Sequence, residues 1–285
     1  MQIISVPTRR GLVLRSVMYE CEGAESVVIL MSGICSNIFN NELLQTTGEI
    51  LSQRGCAYIV GQAMDAFSLL HYSNLITQKQ ELKGVVIDDF DVICEDVDAY
   101  VEFAQAQGFK NIILAGHSLG SNKIIHYLSL HHHPLIKKFI LTGPVDLDAL
   151  QNDERKENWL QTAKHFVSEG RGEEILPFLY LDFSPMSAHT LLAFYENTTL
   201  KNCPFAGGAG ETHSLGAISI CGTVIIGEKD SCTGGNARAF AEKIITCTKE
   251  PQNNTIVIVP DAGHIFYAKH NEYAQEIFNA IRAFV

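Results

Sequence analysis

The sequence predicts an α/β protein: a mostly parallel sheet covered by helices on both faces, interrupted once by a helical insertion. Three observations carry this. Short apolar runs, mostly β-branched and bounded by Gly, Pro or polar residues, have the pattern of strands buried on both faces. Segments with helical spacing alternate with them, and that alternation implies right-handed crossovers between parallel strands. The alternation breaks between residues 144 and 217, where polar-rich helical segments follow one another with no convincing strand.

Taken in order, the first twenty residues read as an antiparallel edge hairpin turning near Arg10-Gly11. Strands follow at residues 27–31 (VVILM), 57–60 (AYIV), 112–115 (IILA), 139–141 (FIL), 223–226 (TVII) and 256–259 (IVIV). Between them, apolar residues recur at helical spacing. The sets are Leu43, Leu44, Ile50 and Leu51; Phe90, Ile93, Val97 and Val101; Ile124, Ile125 and Leu128; Phe240 and Ile244; and Tyr273, Ile277, Ile281 and Phe284. The predicted organisation is a core of residues 1–143 and 218–285 with a helical cap at 144–217.

The chain has 285 residues and a net charge of −11, with 46% hydrophobic and 19% charged residues, an ordinary globular balance. An acidic surface repels phosphate backbones, and no basic cluster interleaved with aromatics offsets it. Nucleic acid and anionic membrane surfaces are therefore excluded as expected partners. The N-terminus lacks a basic segment followed by an apolar run, and no stretch approaches the roughly 18 apolar residues of a membrane span. A cytosolic protein is expected. Its eight cysteines include no CxxC pair and are read as free thiols, neither a disulfide framework nor a zinc site. The N-x-[ST] matches at Asn197 and Asn253 are read as chance. The cap carries eleven acidic residues against five basic ones, so a strongly anionic substrate would meet repulsion on entry.

The sharpest local signal is Gly116-His117-Ser118-Leu119-Gly120, directly after a predicted strand and directly before a helix starting near Ser121. This is G-x-S-x-G in the strand–turn–helix context that the motif requires. A serine presented at such a turn has a strained backbone that side chains two positions away would obstruct. The helix that follows aims its first amides at the hydroxyl, so the Leu119 N–H can donate to a developing oxyanion. His213-Ser214-Leu215-Gly216 repeats four of the five residues but has Thr212 in place of the first glycine and leads toward a strand. Ser214 is read as loop structure.

A serine hydroxyl needs a base, and the base an orienting acid. His264 stands in a loop after the last strand, in Pro260-Asp261-Ala262-Gly263-His264, and is the candidate base. His117 is read as a packing neighbour inside the turn, and His131-His132-His133 as a surface helix end. Asp230, after the penultimate strand, is the candidate acid; Asp146, after the strand at 139–141, is the alternative, and Asp261 is too near His264 to serve. The second oxyanion donor is expected in Ser32-Gly33-Ile34-Cys35-Ser36-Asn37, from the Ile34 N–H with Cys35 as alternative.

The turn at 116–120, Gly227 to Asp230 and Gly263-His264 together make the chain resemble an α/β-hydrolase-fold serine hydrolase over nearly its whole length outside the cap. The resemblance implies a core of about eight strands with the active site at their carboxyl ends, Ser118 as nucleophile, Asp230 as acid, His264 as base, and no cofactor. GHSLGSNKIIHYL, residues 116–128, is similar to a branch that includes siderophore-ester hydrolases. Two departures stand out: Ser32-Gly33 replaces the usual His-Gly, and Gln62-Ala63-Met64-Asp65-Ala66-Phe67-Ser68 replaces the familiar D-x-R-G-x-G-x-S segment. The implied substrate is a small neutral or cationic ester. Amide or peptide hydrolysis by the same triad, and a ligand-binding receptor of the same fold with vestigial hydrolysis, are the alternatives. Oligomeric state is not legible.

Overall fold

The computed structural model describes all residues except 88–91, 148–149, 151 and 197–213. β1 (Gln2–Pro7) and β2 (Val13–Tyr19) pair antiparallel as the expected edge hairpin. β3 (Ser26–Met31) is buried at every position and leads to helix α1 (Glu42–Ser52), whose Asn41 cap accepts the Leu43 N–H. β4 (Ala57–Gly61) follows, and then a hairpin of β5 (Leu70–Asn74) and β6 (Lys79–Lys83) that the sequence reading did not anticipate. KQELK has a single apolar residue, and in LHYSN the alternation is confined to Leu70 and Tyr72, too short a run to stand out.

The remaining elements are α2 (Ile93–Ala106), β7 (Asn111–His117), α3 (Leu119–Leu130), β8 (Ile136–Thr142), α4 (Lys156–Ser168) and α5 (Ala188–Glu196). A four-residue helix, Ser214–Ala217, precedes β9 (Gly222–Gly227), and α6 (Ala237–Thr246), β10 (Thr255–Val259) and α7 (His270–Ile281) complete the chain. Eight strands form one sheet in the order β1-β2-β4-β3-β7-β8-β9-β10. All its pairs from β4 to β10 are parallel, and β2 meets both its neighbours antiparallel.

Successive strand residues face opposite sides of a sheet, and here the two faces carry separate cores. Ile29, Met31, Leu114 and Leu141 pack with Val97 and Tyr100 of α2, Ile124 and Ile125 of α3, and Phe240 and Ile244 of α6. Val28, Leu30, Ile113 and Ile140 pack on the other side with Leu43 and Leu44 of α1 and Tyr273 and Ile277 of α7. Each fully buried Ile or Leu stabilises by roughly 1.5–3 kcal/mol relative to exposure, so the central strands anchor the fold.

Between β8 and β9 the helices α4 and α5 and the segment joining them build a third core from Trp159, Tyr180, Leu191 and Tyr195. Ile34 packs against both this cluster and the α2–α3 side of the sheet. The start of α5 is tied down where the Ser187 N–H and the Thr190 hydroxyl both donate to the Val86 carbonyl, at 3.1 and 2.8 Å. Parallel register brings the ends of the central strands level: Met31 pairs with Gly116, Thr142 with His117, and Val259 with Gly227. The loops after β3, β7, β8, β9 and β10 consequently gather at one edge. Among the described residues no helix is long and apolar enough to cross a membrane, and the seven described cysteines are free thiols, Cys203 lying outside the described residues.

Candidate active site

Ser118 stands between the end of β7 and the start of α3 with φ 56° and ψ −132°, a region costly for a non-glycine residue and held only where the surroundings over-determine it. They do so here. The Ser118 N–H donates to the Thr142 carbonyl at 3.0 Å, and the Ser121 hydroxyl donates to the Gly116 carbonyl at 2.7 Å. A Cβ on Gly116 would sit 2.4 Å from the Gly120 oxygen, and one on Gly120 only 2.0 Å from the Met31 oxygen. Both motif glycines are therefore required by backbone contact alone. Leu119 opens α3, so its N–H is one of the orphan donors of a helix start.

The Ser118 hydroxyl lies 2.8 Å from His264 Nε2, and His264 Nδ1 lies 3.0 Å from each carboxylate oxygen of Asp230. Asp230 is fixed in turn, since its Oδ1 accepts the Cys232 N–H at 2.9 Å and caps the turn Ser231–Thr233. The geometry thus brings Ser118, His264 and Asp230 into one hydrogen-bonded line. The alternative acid, Asp146, donates its backbone N–H to the Cys232 carbonyl at 3.0 Å. Asp261 pairs with Lys229 at 2.7 Å on the exposed outer side of the loop. Ser214 sits in the four-residue helix before β9, while His213 and Thr212 of its motif lie outside the described residues.

Burial is the largest influence on the His264 ring and works against its charged form. The Asp230 carboxylate and the Cys232 side chain together outweigh it and hold the imidazolium above the ordinary histidine range. His117 has a more specific place than a packing neighbour: its Nε2 lies 2.9 Å from the His264 carbonyl. Burial, and next the proximity of His264, push its pKa down to about 4. His117 is therefore neutral near pH 7, and its Nε2–H donates to the backbone of the His264 loop. The second position of the motif gave no signal of this, because a partner 147 residues away appears only in the fold.

The loop after β3 passes close over the serine. A Cβ on Gly33 would lie 2.8 Å from Ser118 Cβ. The Cys35 N–H donates to the Asp65 carbonyl at 2.9 Å, whereas the Ile34 N–H has no acceptor among the described residues. Of the two donors weighed from the sequence, only the Ile34 amide remains available. A cavity of about 730 Å³ opens above Ser118 and His264, walled by Ile34, Leu119, Leu147, Tyr180 and Phe194. Arg155 reaches its rim but is engaged by Asp153 at 2.8 Å and Asp182 at 2.7 Å. Asp230, Cys232 and His264 are the one described group whose ligand atoms lie within 4.8 Å of one another. The His264–Asp230 hydrogen bonds already occupy two of the three.

The profile of one protein family matches residues 83–285, more than half of the chain. The chain belongs to the DUF1749 family. Its description is "protein of unknown function". A search of curated proteins finds no match. Among solved structures, this DUF1749 member is similar to Est1E from Butyrivibrio proteoclasticus, with a TM-score of 0.64 at 12% identity over 100% of this chain and 99% of that one. It is similar also to the alpha/beta hydrolase GrgF from Penicillium sp. sh18, with a TM-score of 0.65 at 17% identity over 99% and 96% of the two chains. The Pyrococcus furiosus esterase Pf2001 gives 0.62 at 15% identity over 99% and 92%. At such identities the likeness establishes the fold, which is the α/β-hydrolase fold.

Proposed function

We propose that this DUF1749 member is a serine hydrolase that cleaves carboxylic esters of small neutral or cationic molecules through an acyl-enzyme on Ser118. The observation that carries the reading is the line from Ser118 Oγ to His264 Nε2 at 2.8 Å and from His264 Nδ1 to Asp230 at 3.0 Å, at the floor of a cavity. Ser118 attacks the ester carbonyl while His264 takes its proton, and Asp230 keeps the imidazole in the accepting tautomer and stabilises the imidazolium. The carbonyl oxygen becomes an oxyanion held by the Leu119 and Ile34 amides. The tetrahedral adduct collapses as His264 returns the proton to the departing alcohol. Water activated by the same imidazole then releases the acid. Apolar walls at Leu147, Tyr180 and Phe194 suit an apolar acyl group, and the acidic cap disfavours an anionic one.

The test pairs a fluorophosphonate label with p-nitrophenyl ester turnover. The expected result is one adduct, mapped by mass to Ser118, and many turnovers per site. No adduct, or a single slow turnover, defeats the reading, and a panel in which anionic esters turn over best defeats the charge preference. The pH profile is a second check. His264 must be neutral to accept the serine proton, and its pKa is raised, so kcat/KM is expected to climb with pH through an acid limb lying above the ordinary histidine value of about 6.5. An acid limb below that value contradicts the bond to Asp230 as its cause.

A further inference from the structure

The segment Gln62 to Ala66, which stands where the familiar D-x-R-G-x-G-x-S is absent, forms a platform beneath the loop after β3. The Ser32 N–H donates to the Gly61 carbonyl at 3.0 Å and the Cys35 N–H to the Asp65 carbonyl at 2.9 Å. Asn37 Nδ2 donates to the Ala66 carbonyl at 3.0 Å, and the Ile38 N–H to Gln62 Oε1 at 2.7 Å. The loop is thus pinned to the end of β4 at Ser32, before the Ile34 amide, and to this segment at Cys35, Asn37 and Ile38, after it.

The platform is tied to the nucleophile helix by a buried charge. Lys123, four residues beyond Leu119 on α3, has a side chain 0% exposed and pairs with Asp65, 2% exposed. Its Nζ also reaches the Ser32 carbonyl at 3.4 Å. One ammonium therefore joins α3, the loop after β3 and the platform. Stability alone gives little reason for it. Desolvating two charges opposes folding, and apolar replacements of similar volume are often neutral or stabilising. Asp65 Oδ2 is moreover buried with no hydrogen-bond partner among the described residues.

We propose that Lys123 and Asp65 are positioning residues that set the Ile34 N–H against the Leu119 N–H as the two donors of the oxyanion hole. The inference rests on the serine-hydrolase reading. The ammonium fixes the spacing between the elements carrying the donors, and about 1 Å of misplacement at such a site costs on the order of 100-fold in rate. Because an oxyanion exists only after attack, a loosened hole lowers kcat and leaves substrate binding almost untouched.

The experiment compares wild type with two variants that avoid leaving one buried charge alone. Lys123→Met/Asp65→Leu removes both charges, and Asp65→Glu keeps both but lengthens the carboxylate by one methylene. Each is expected to lower kcat on a p-nitrophenyl ester by roughly 10- to 100-fold with KM changed by less than about threefold. Affinity for a trifluoromethyl ketone, which forms an oxyanion adduct on serine, falls by a similar factor. The acid limb of the pH profile stays in place, because the His264–Asp230 contact is untouched. Folded variants with wild-type kcat and ketone affinity overturn the clamp, as does a loss accompanied by a displaced acid limb. If the double variant does not fold, Asp65→Glu alone decides by the same readings, and misfolding of both makes the pair structural and overturns the proposal. A wild type without turnover or a Ser118 adduct defeats the hydrolase reading and the clamp with it; an active wild type with unimpaired variants defeats the clamp alone.

Discussion

Ser118→Ala is expected to yield a folded protein whose ester turnover is lower by roughly 10⁴- to 10⁶-fold, the scale on which removing a serine nucleophile acts in triad enzymes. The fold is expected to survive because nothing that shapes the turn belongs to the hydroxyl. The positive φ is held by the Ser118 N–H on Thr142, by Ser121 on Gly116, and by the approach of Gly120 to the Met31 carbonyl. Alanine meets the same backbone demand as serine. Removing Oγ leaves His264 Nε2 facing the cavity, where water can reach it. Circular dichroism and the melting temperature should match wild type, while fluorophosphonate labelling at position 118 disappears. The cavity walls are unchanged, so the variant should still bind substrate and be competent for equilibrium binding measurements. Full activity in the purified variant would remove Ser118 from the mechanism and send the search for a nucleophile to other residues of the cavity.

The parts of this site that were legible in the sequence are those that local backbone physics dictates. A serine between two obligatory glycines, with a strand before and a helix after, has one compact solution, and the structure shows the contacts that forbid a side chain at Gly116 and Gly120. Likewise the central strands declare themselves because both their faces are buried, as at 27–31 and 112–115. What stayed illegible depends on residues far apart in the chain. The polar hairpin of β5 and β6 carries only the short alternation of Leu70 and Tyr72 and is held by contacts such as the Leu75 N–H on the Gly11 carbonyl at 2.8 Å. Ile34 and Cys35 are neighbours with equivalent amides, and they separate only because Asp65 accepts from Cys35. Lys123 reads as an ordinary helix lysine until the fold shows it with no exposed surface. His117 looked like filling until its ring met the His264 carbonyl.

Asp230→Asn is expected to lower kcat by about 10⁴-fold with the site geometry nearly intact. Both carboxylate oxygens lie 3.0 Å from His264 Nδ1, so the native acid accepts the Nδ1 proton and leaves Nε2 free to accept from Ser118. An asparagine amide can keep the Cys232 N–H on its oxygen, which turns its NH₂ toward the ring. That donor favours the opposite tautomer, in which Nε2 carries the proton and can no longer take one from serine. The same change has a signature in pH. In the native protein the carboxylate leads the influences that raise the His264 pKa, against burial, which lowers it. Without it burial is opposed by the Cys232 side chain alone, and the acid limb of the residual activity should move to lower pH. The sign for stability follows from the same linkage. A folded pKa above the unfolded value stabilises the native state below about pH 6.5 and loses that contribution as the pH rises through the folded pKa. The melting-temperature difference between wild type and Asp230→Asn should therefore be larger at pH 6 than at alkaline pH. Asp146→Asn is the control, since the two carboxylate oxygens within hydrogen-bond distance of His264 Nδ1 both belong to Asp230. It should leave kcat within a few-fold of wild type. If Asp146→Asn did the greater damage and displaced the acid limb, Asp146 and not Asp230 would be the residue that orients His264 during turnover.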